Sequence, residues 1–256
     1  MVSAEEHYDK HLGKFYSWMI GEISENTQNQ KIIFQKFGIV PRKSSYAVDL
    51  GCGNGIQSIA LADLGFSVCA IDFNDTLLSE FRSYADSEKI HIFRDRIENI
   101  LKYADKKQAG FGVSEGSPSR SAELIVCGGD TVSHLESFDV LEKFIEDCAS
   151  SLCTGGKFFL SFRDYSEELK ENARFISVKN DESRILTCFL EYFREYVSVT
   201  DILYEKKENR WDQKISSYRK LRISVEQMKS LLLRKNFRIE AVEKGRMNIL
   251  IGAKTE

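Results

Sequence analysis

The stretch that decides the fold reads Ala47-Val-Asp-Leu-Gly-Cys-Gly-Asn-Gly55, then an apolar-periodic run, then Val68-Cys-Ala-Ile-Asp72. An apolar strand enters a glycine-rich turn, a helix follows, and a second apolar strand ends in an acid. Gly51, Gly53 and Gly55 lack a Cβ, so the backbone can take positive φ and approach a ligand closely. A loop of this kind opening a helix directs N–H groups at what lies above it. An acid at the end of the next strand suits a ribose diol, because one carboxylate accepts from both hydroxyls.

By itself Gly-x-Gly-x-Gly says little. Its weight comes from the strand–turn–helix–strand context and from Asp72, 17 residues after Gly55. The spelling departs from the dinucleotide pattern Gly-x-Gly-x-x-Gly. Asp49 precedes the first glycine, and Gln57 rather than a glycine stands further on. An acid beneath the turn repels a pyrophosphate but suits an ammonium or sulfonium group.

Outward from this stretch, strands are expected at 46–50, 67–71, 90–93, 122–127 and 157–162, and helices at 56–64, 76–86, 97–104 and 138–150. Strict alternation implies a parallel sheet with helices on both faces and right-handed crossovers. Ligands then sit at the carboxyl ends of the strands. There the third strand is followed by Asp95, Arg96 and Ile97, an acid to accept from an amino group and an apolar side chain to pack on a ring. The fourth is followed by Cys127-Gly-Gly-Asp-Thr-Val-Ser-His134, in which Asp130 and His134 are the candidate catalytic groups and His134 a candidate base. The fifth ends at Arg163-Asp-Tyr165, where Arg163 can clamp a carboxylate and Tyr165 can donate to a substrate.

Other segments frame this core. Residues 5–38 read as helical, with Tyr8, Tyr16 and Trp18 as candidate substrate-contacting aromatics of a lid spanning 1–40. Residues 105–121 read as a flexible Gly/Ser-rich loop. The double glycine at 155–156 reads as a turn before the fifth strand. Residues 174–222 are β-branched and aromatic, and read as an antiparallel β insertion. It could wall the pocket, extend the sheet, or form a homodimer surface. Ser224-Val-Glu-Gln227 is a capping box, and 237–242 and 247–253 read as the last two strands.

Asp-Leu-Gly-Cys-Gly-x-Gly resembles motif I of the class I S-adenosylmethionine-dependent methyltransferases, and the chain looks similar to small-molecule enzymes of the glycine/sarcosine N-methyltransferase type. The resemblance covers 46–254 apart from the insertion. It implies a Rossmann-like fold: a seven-stranded, mostly parallel sheet whose last strand is antiparallel, with 46–165 as the cofactor-binding core. It implies S-adenosylmethionine as methyl donor and S-adenosylhomocysteine as product. Asp49, Gly51, Cys52, Gly53 and Gly55 would face the methionine end and Asp72 the ribose. Phe73 and Ile97 would sandwich the adenine beside Arg96, and Asp95 would meet its amino group. Backbone carbonyls of Cys127 and Gly128 would meet the ammonium group.

The 256 residues suffice for one domain with its own core. With Lys+Arg 36 against Asp+Glu 39, net charge −3, no basic excess favours nucleic acid as partner. Six cysteines without a Cys-x-x-Cys pair read as free thiols of a reducing cytoplasm, not as disulfides or a metal site. No run reaches the ~18 apolar residues of a membrane span. The expected function is N- or O-methylation of a small molecule. The rival readings are a methyltransferase acting on RNA or protein, and a non-catalytic binder of the methyl donor.

Overall fold

The computed structural model describes residues 1–112, 121–208 and 210–256. Its central sheet has seven strands: β1 (Tyr46–Leu50), β2 (Ser67–Asp72), β3 (Ile90–Arg94), β4 (Ala122–Cys127), β5 (Leu152–Phe162), β10 (Phe237–Glu243) and β11 (Asn248–Lys254). They lie in the order β10-β11-β5-β4-β1-β2-β3. The first five strands pair parallel, and β11 runs antiparallel between β5 and β10. This is the sheet expected from the sequence.

The alternation of side chains along each strand divides the core. Val48, Leu50, Ile71 and Ile125 face the helices Phe138–Ser151 and Val225–Arg234. Ala47, Val68, Ala70 and Val126 face the helices Ile23–Lys36, Ile56–Asp63 and Asp75–Arg82. Both faces are covered, so strands read as continuous apolar runs. Each fully buried large side chain, such as Phe34, Phe81 or Phe144, contributes roughly 1.5–3 kcal/mol of transfer free energy. Helix starts are fixed by side-chain caps. Asn74 accepts from Leu77 N–H at 3.0 Å, and Ser137 from Val140 N–H at 3.2 Å. Ser224 and Gln227 form the capping box.

The insertion forms a separate antiparallel sheet of β6 (Phe175–Asn180), β7 (Arg184–Tyr192), β8 (Tyr196–Lys207) and β9 (Arg210–Leu221), in that order. Its inner face presents Leu186, Cys188, Leu190, Val199, Leu203 and Tyr218. The N-terminal segment packs there through Phe15, Trp18 and Met19. Val2 also joins the sheet edge, donating its N–H to Ser217 O at 2.9 Å and lying parallel to Tyr218.

Three local expectations are revised. Residues 5–38 are not one continuous helix. They form a short helix Ala4–His7, a π-helical turn Tyr8–Leu12, a 3-10 turn Gly13–Phe15 and a helix Tyr16–Ile20, before Gly21 breaks the chain ahead of Ile23–Lys36. A Cβ at Gly13 would lie 2.7 Å from Tyr8 O. The glycine thus permits the tight turn that a uniform helical pattern hides. The double glycine at 155–156 sits inside β5, where pairing jumps from Ala122↔Leu152 to Leu124↔Lys157. It is a bulge rather than a turn before the strand. The loop read at 105–121 is anchored at its base by an Asp105–Ser121 bridge and by Phe111 stacked on His91 at 3.9 Å. Residues 113–120 of that reading, and Asn209 of the β8–β9 turn, lie outside the described residues.

Candidate active site

One cavity of about 480 Å³ opens at the carboxyl ends of β1, β2 and β4. Two sets of residues line it. One is the glycine loop with Asp72, Phe73, Leu77, Arg96, Ile97, Gly128 and Gly129. The other comes from Val2–Glu5, Tyr8, Tyr16, the 134–138 segment, Glu195, Tyr196 and Arg219–Leu221.

The three glycines of the loop have different reasons to be glycine. A Cβ at Gly55 would stand 2.2 Å from the Phe81 ring, and one at Gly51 would stand 2.3 Å from Thr131 Cγ2. Both make room for the protein's own packing. Only Gly53, at φ +53, is open toward the cavity, with the Tyr16 ring 3.7 Å from its built Cβ. The N–H groups of Gly51 and Cys52 donate to Ile71 O, and that of Gly53 donates to Asp72 Oδ2 at 2.9 Å. Among the described residues, the N–H groups of Ile56 and Gln57 at the helix start have no protein partner, and both residues line the cavity. They are the donors left for an anionic group.

Asp72 is buried and reaches the cavity. Burial raises its carboxyl above the usual range, against the N–H bonds from Asn74 and Gly53. Phe73, Ile97 and Leu77 form apolar walls next to it, and Arg96 lies at the rim between Glu5, Glu98 and Glu136. This end fits a nucleoside with a charged tail: apolar walls, one acceptor for a diol, and free helix N–H groups.

Several residues singled out in the sequence lie elsewhere. Asp49 is beneath the loop, not in the cavity lining. Its Oδ2 accepts from Ser58 Oγ at 2.6 Å, and burial pushes its carboxyl up to about 7. Asp95 is outside the lining as well. Burial alone would raise it, but hydrogen bonds from Lys102, Asn99, the Arg96 N–H and Tyr103 hold it down to about 2. Cys127 is buried within β4. The Gly128 carbonyl, expected to face an ammonium group, already accepts from Thr131 N–H and Oγ1.

Asp130 is corrected from catalytic candidate to positioning residue. Its carboxylate accepts from Arg163 N–H at 3.0 Å, Tyr165 Oη at 2.9 Å and Lys220 Nζ at 2.5 Å, and it does not line the cavity. It ties the β4 loop to the ends of β5 and β9. Tyr165 is buried in that bond, and the Arg163 side chain is likewise outside the lining. Trp18 points to the insertion, donating to Asp181 at 2.5 Å with Lys179 and Arg184 over its ring. Its indole packs the lid rather than meeting a substrate.

Tyr8, Tyr16 and His134 do line the cavity. Burial raises the Tyr16 phenol to about 12 and raises that of Tyr8 well above its ordinary value. Burial, then the Lys220 and His7 charges, lower His134 well below its ordinary value. Tyr218 stacks on His7 at 4.0 Å and on His134 at 5.5 Å, with Tyr8 edge-on to His134 at 5.7 Å. His7 is itself buried, its ring nitrogens 2.8 Å from Ser216 Oγ and 3.1 Å from Asp201 Oδ2. Sequence reasoning missed His7, Asp201, Arg219 and Lys220. Nothing local marks them, since a lysine on a strand edge reads as solvated.

The family described as "Methyltransferase domain" matches residues 47–156. The chain resembles methyltransferases over this segment, less than half of its length. It is 26% identical to a ubiquinone biosynthesis O-methyltransferase of Coxiella burnetii over 121 residues, 46% of this chain and 44% of that one. It is 24% identical to the glycine N-methyltransferase of Oryctolagus cuniculus over 173 residues, 64% of this chain and 56% of that one. The chain thus spans about half the length of the curated relatives it matches. The structure of CalS10, an amino pentose methyltransferase from Micromonospora echinaspora solved with S-adenosylmethionine bound, shares the fold. Its TM-score is 0.70 at 12% identity, over 96% of this chain and 97% of that one. The matched residues include the glycine loop, Asp72, Phe73, Ile97 and Gly128 of the cavity lining. The N-terminal segment and the insertion lie outside the matched residues and line the other end.

Proposed function

We propose that the chain transfers a methyl group from S-adenosylmethionine to a small-molecule acceptor. The observation that carries this is a single cavity with two unlike ends. One end is the glycine loop, Asp72, Phe73 and Ile97. The other is closed by Tyr8, Tyr16, His134 and Lys220 from the lid, the β4 loop and the insertion. S-adenosylmethionine, when bound, supplies an electrophilic methyl carbon whose bond to sulfur breaks as the acceptor's lone pair forms the new bond, leaving S-adenosylhomocysteine and, from a neutral acceptor N–H or O–H, one proton.

The residues divide the remaining work. Asp72 accepts from the ribose hydroxyls, Phe73 and Ile97 hold the adenine, and the Ile56 and Gln57 N–H groups receive the carboxylate. Gly53 lets the donor lie against the loop. The lid residues Val2–Glu5 and Tyr8 align the acceptor and keep water out, which is the main demand of an in-line displacement. An acceptor end walled by the chain itself favours a small molecule over a nucleic acid or protein. The names of the relatives, which mention ubiquinone, glycine and an amino pentose, support the same reading.

Calorimetry with S-adenosylmethionine, S-adenosylhomocysteine and NADH tests it. The first two are expected to bind at a single site. Stabilisation by NADH alone would refute the proposal.

A further inference from the structure

Three features of the acceptor end bear on what it accepts. His134 has no protein hydrogen bond on either ring nitrogen among the described residues, and its Nδ1 is buried without a partner. Nε2 is the nitrogen left to the cavity. Lys220 lines the same cavity with its side chain only 11% exposed, and gives one N–H to Asp130. An ammonium has three donors, so two remain. The acids of the cavity lie elsewhere. Asp72 stands at the glycine-loop end, Glu5, Glu98 and Glu136 gather on Arg96 at the rim, and Glu195 shares the exposed rim with Arg219.

Resting on the methyltransferase reading, we infer that Lys220 Nζ and His134 Nε2–H form a subsite for an anionic oxygen of the acceptor. The groups around His134 are Tyr8 and His7 from the lid, Tyr218 and Lys220 from β9, and Asp130 on its own turn, whose carboxylate is spent on Lys220, Tyr165 and the Arg163 N–H. No free carboxylate stands by to stabilise an imidazolium, and the donor's sulfonium would add a further positive charge. His134 therefore serves as a neutral hydrogen-bond donor rather than as the base read from the sequence. Buried N–H groups are almost never left unpaired, which puts the proton on Nε2 rather than on the enclosed Nδ1. A neutral donor beside an ammonium, facing a sulfonium, complements an oxyanion and disfavours an ammonium. The oxyanion is either the reacting oxygen or a carboxylate next to the reacting group.

The test uses the full chain saturated with S-adenosylhomocysteine, titrated calorimetrically with benzoate, para-nitrophenolate and benzylammonium. At least one anion is expected to bind roughly tenfold or more tightly than benzylammonium. Lys220→Gln is expected to weaken the anion about tenfold, the size of a charged hydrogen bond. His134→Phe should weaken it several-fold, and S-adenosylhomocysteine affinity should be unchanged in both. His134→Phe leaves the Asp130 pair intact, so it keeps the test meaningful if Lys220→Gln folds poorly. Preference for para-nitrophenolate assigns the oxyanion to the nucleophile, and preference for benzoate assigns it to an anchor. Nitrogen-15 NMR should show His134 protonated at Nε2 and not titrating at mildly acidic pH. Benzylammonium binding as tightly as the anions, no anion binding, anion affinity unmoved by both variants, or a proton on Nδ1 overturns the inference. Failure to bind S-adenosylhomocysteine at all would instead break the methyltransferase reading.

Discussion

The two ends of the cavity are built in opposite ways. The glycine-loop end comes chiefly from one continuous stretch, Gly51 to Phe73, held by local bonds: Gly51 and Cys52 N–H to Ile71 O, Gly53 N–H to Asp72. The acceptor end is assembled from Val2–Tyr16, the β4 loop and β9, segments spread over more than 200 residues of the chain. Its ties are long-range: His7 to Asp201, Lys220 to Asp130, Val2 to Ser217. The first end is fixed once the strand–loop–helix unit forms. The second exists only when lid and insertion have docked.

Substitutions can break or sharpen this contrast. The largest effect is expected within the loop. Gly55→Ala sets a Cβ against Phe81 at a positive φ, and should cost more than about 3 kcal/mol in thermal unfolding. Gly53→Ala makes only ordinary contacts, with the cavity-lining Tyr16 and Leu77, and should lose donor affinity more than stability. Equal destabilisation by the two would erase the distinction drawn between packing glycine and ligand glycine. Next, Asp72→Asn should reduce S-adenosylhomocysteine affinity by roughly ten- to a hundredfold in calorimetry, since a charge-assisted bond is worth about 1.5–3 kcal/mol. Unchanged affinity would remove Asp72 from the ribose.

Asp49 offers a pH test beneath the same loop. Its folded carboxyl keeps a proton to about pH 7, whereas the ordinary value is 3.8. The folded state binds that proton more tightly, so the wild type loses stability as pH rises between those values. Asp49→Asn removes the loss. It should match the wild type in acid and gain on it above pH 7 by at most about 4 kcal/mol, read from denaturant melts across pH. A gain confined to acid would contradict the burial. The smallest effect belongs to Trp18→Phe, which keeps a ring packed against Phe15, Leu186 and Leu203 and loses the indole N–H. The indole's bond to exposed Asp181 should cost no more than about 1 kcal/mol, with donor affinity unchanged. A large loss of donor affinity would return Trp18 to the site.

By itself the sequence determined the alternation of strands and helices, the sheet they form, and the glycine loop with Asp72 that lines one end of the cavity. Those follow from hydrophobic period, glycine spacing and an acid at a fixed distance, all of which act over a few residues. It also named Tyr8, Tyr16 and His134 as cavity residues. It did not show that Asp49, Asp95, Asp130, Arg163, Tyr165 and Trp18 stand outside the cavity lining, because where a polar side chain points depends on which partner reaches it first. Asp130 meets Lys220, Asp95 meets Lys102 and Trp18 meets Asp181 only after distant segments pack. Lys220 and His7 carried no local signal at all. Their place was decided by the tertiary structure, which folds an exposed-looking strand and an N-terminal helix over the carboxyl end of the sheet and buries both.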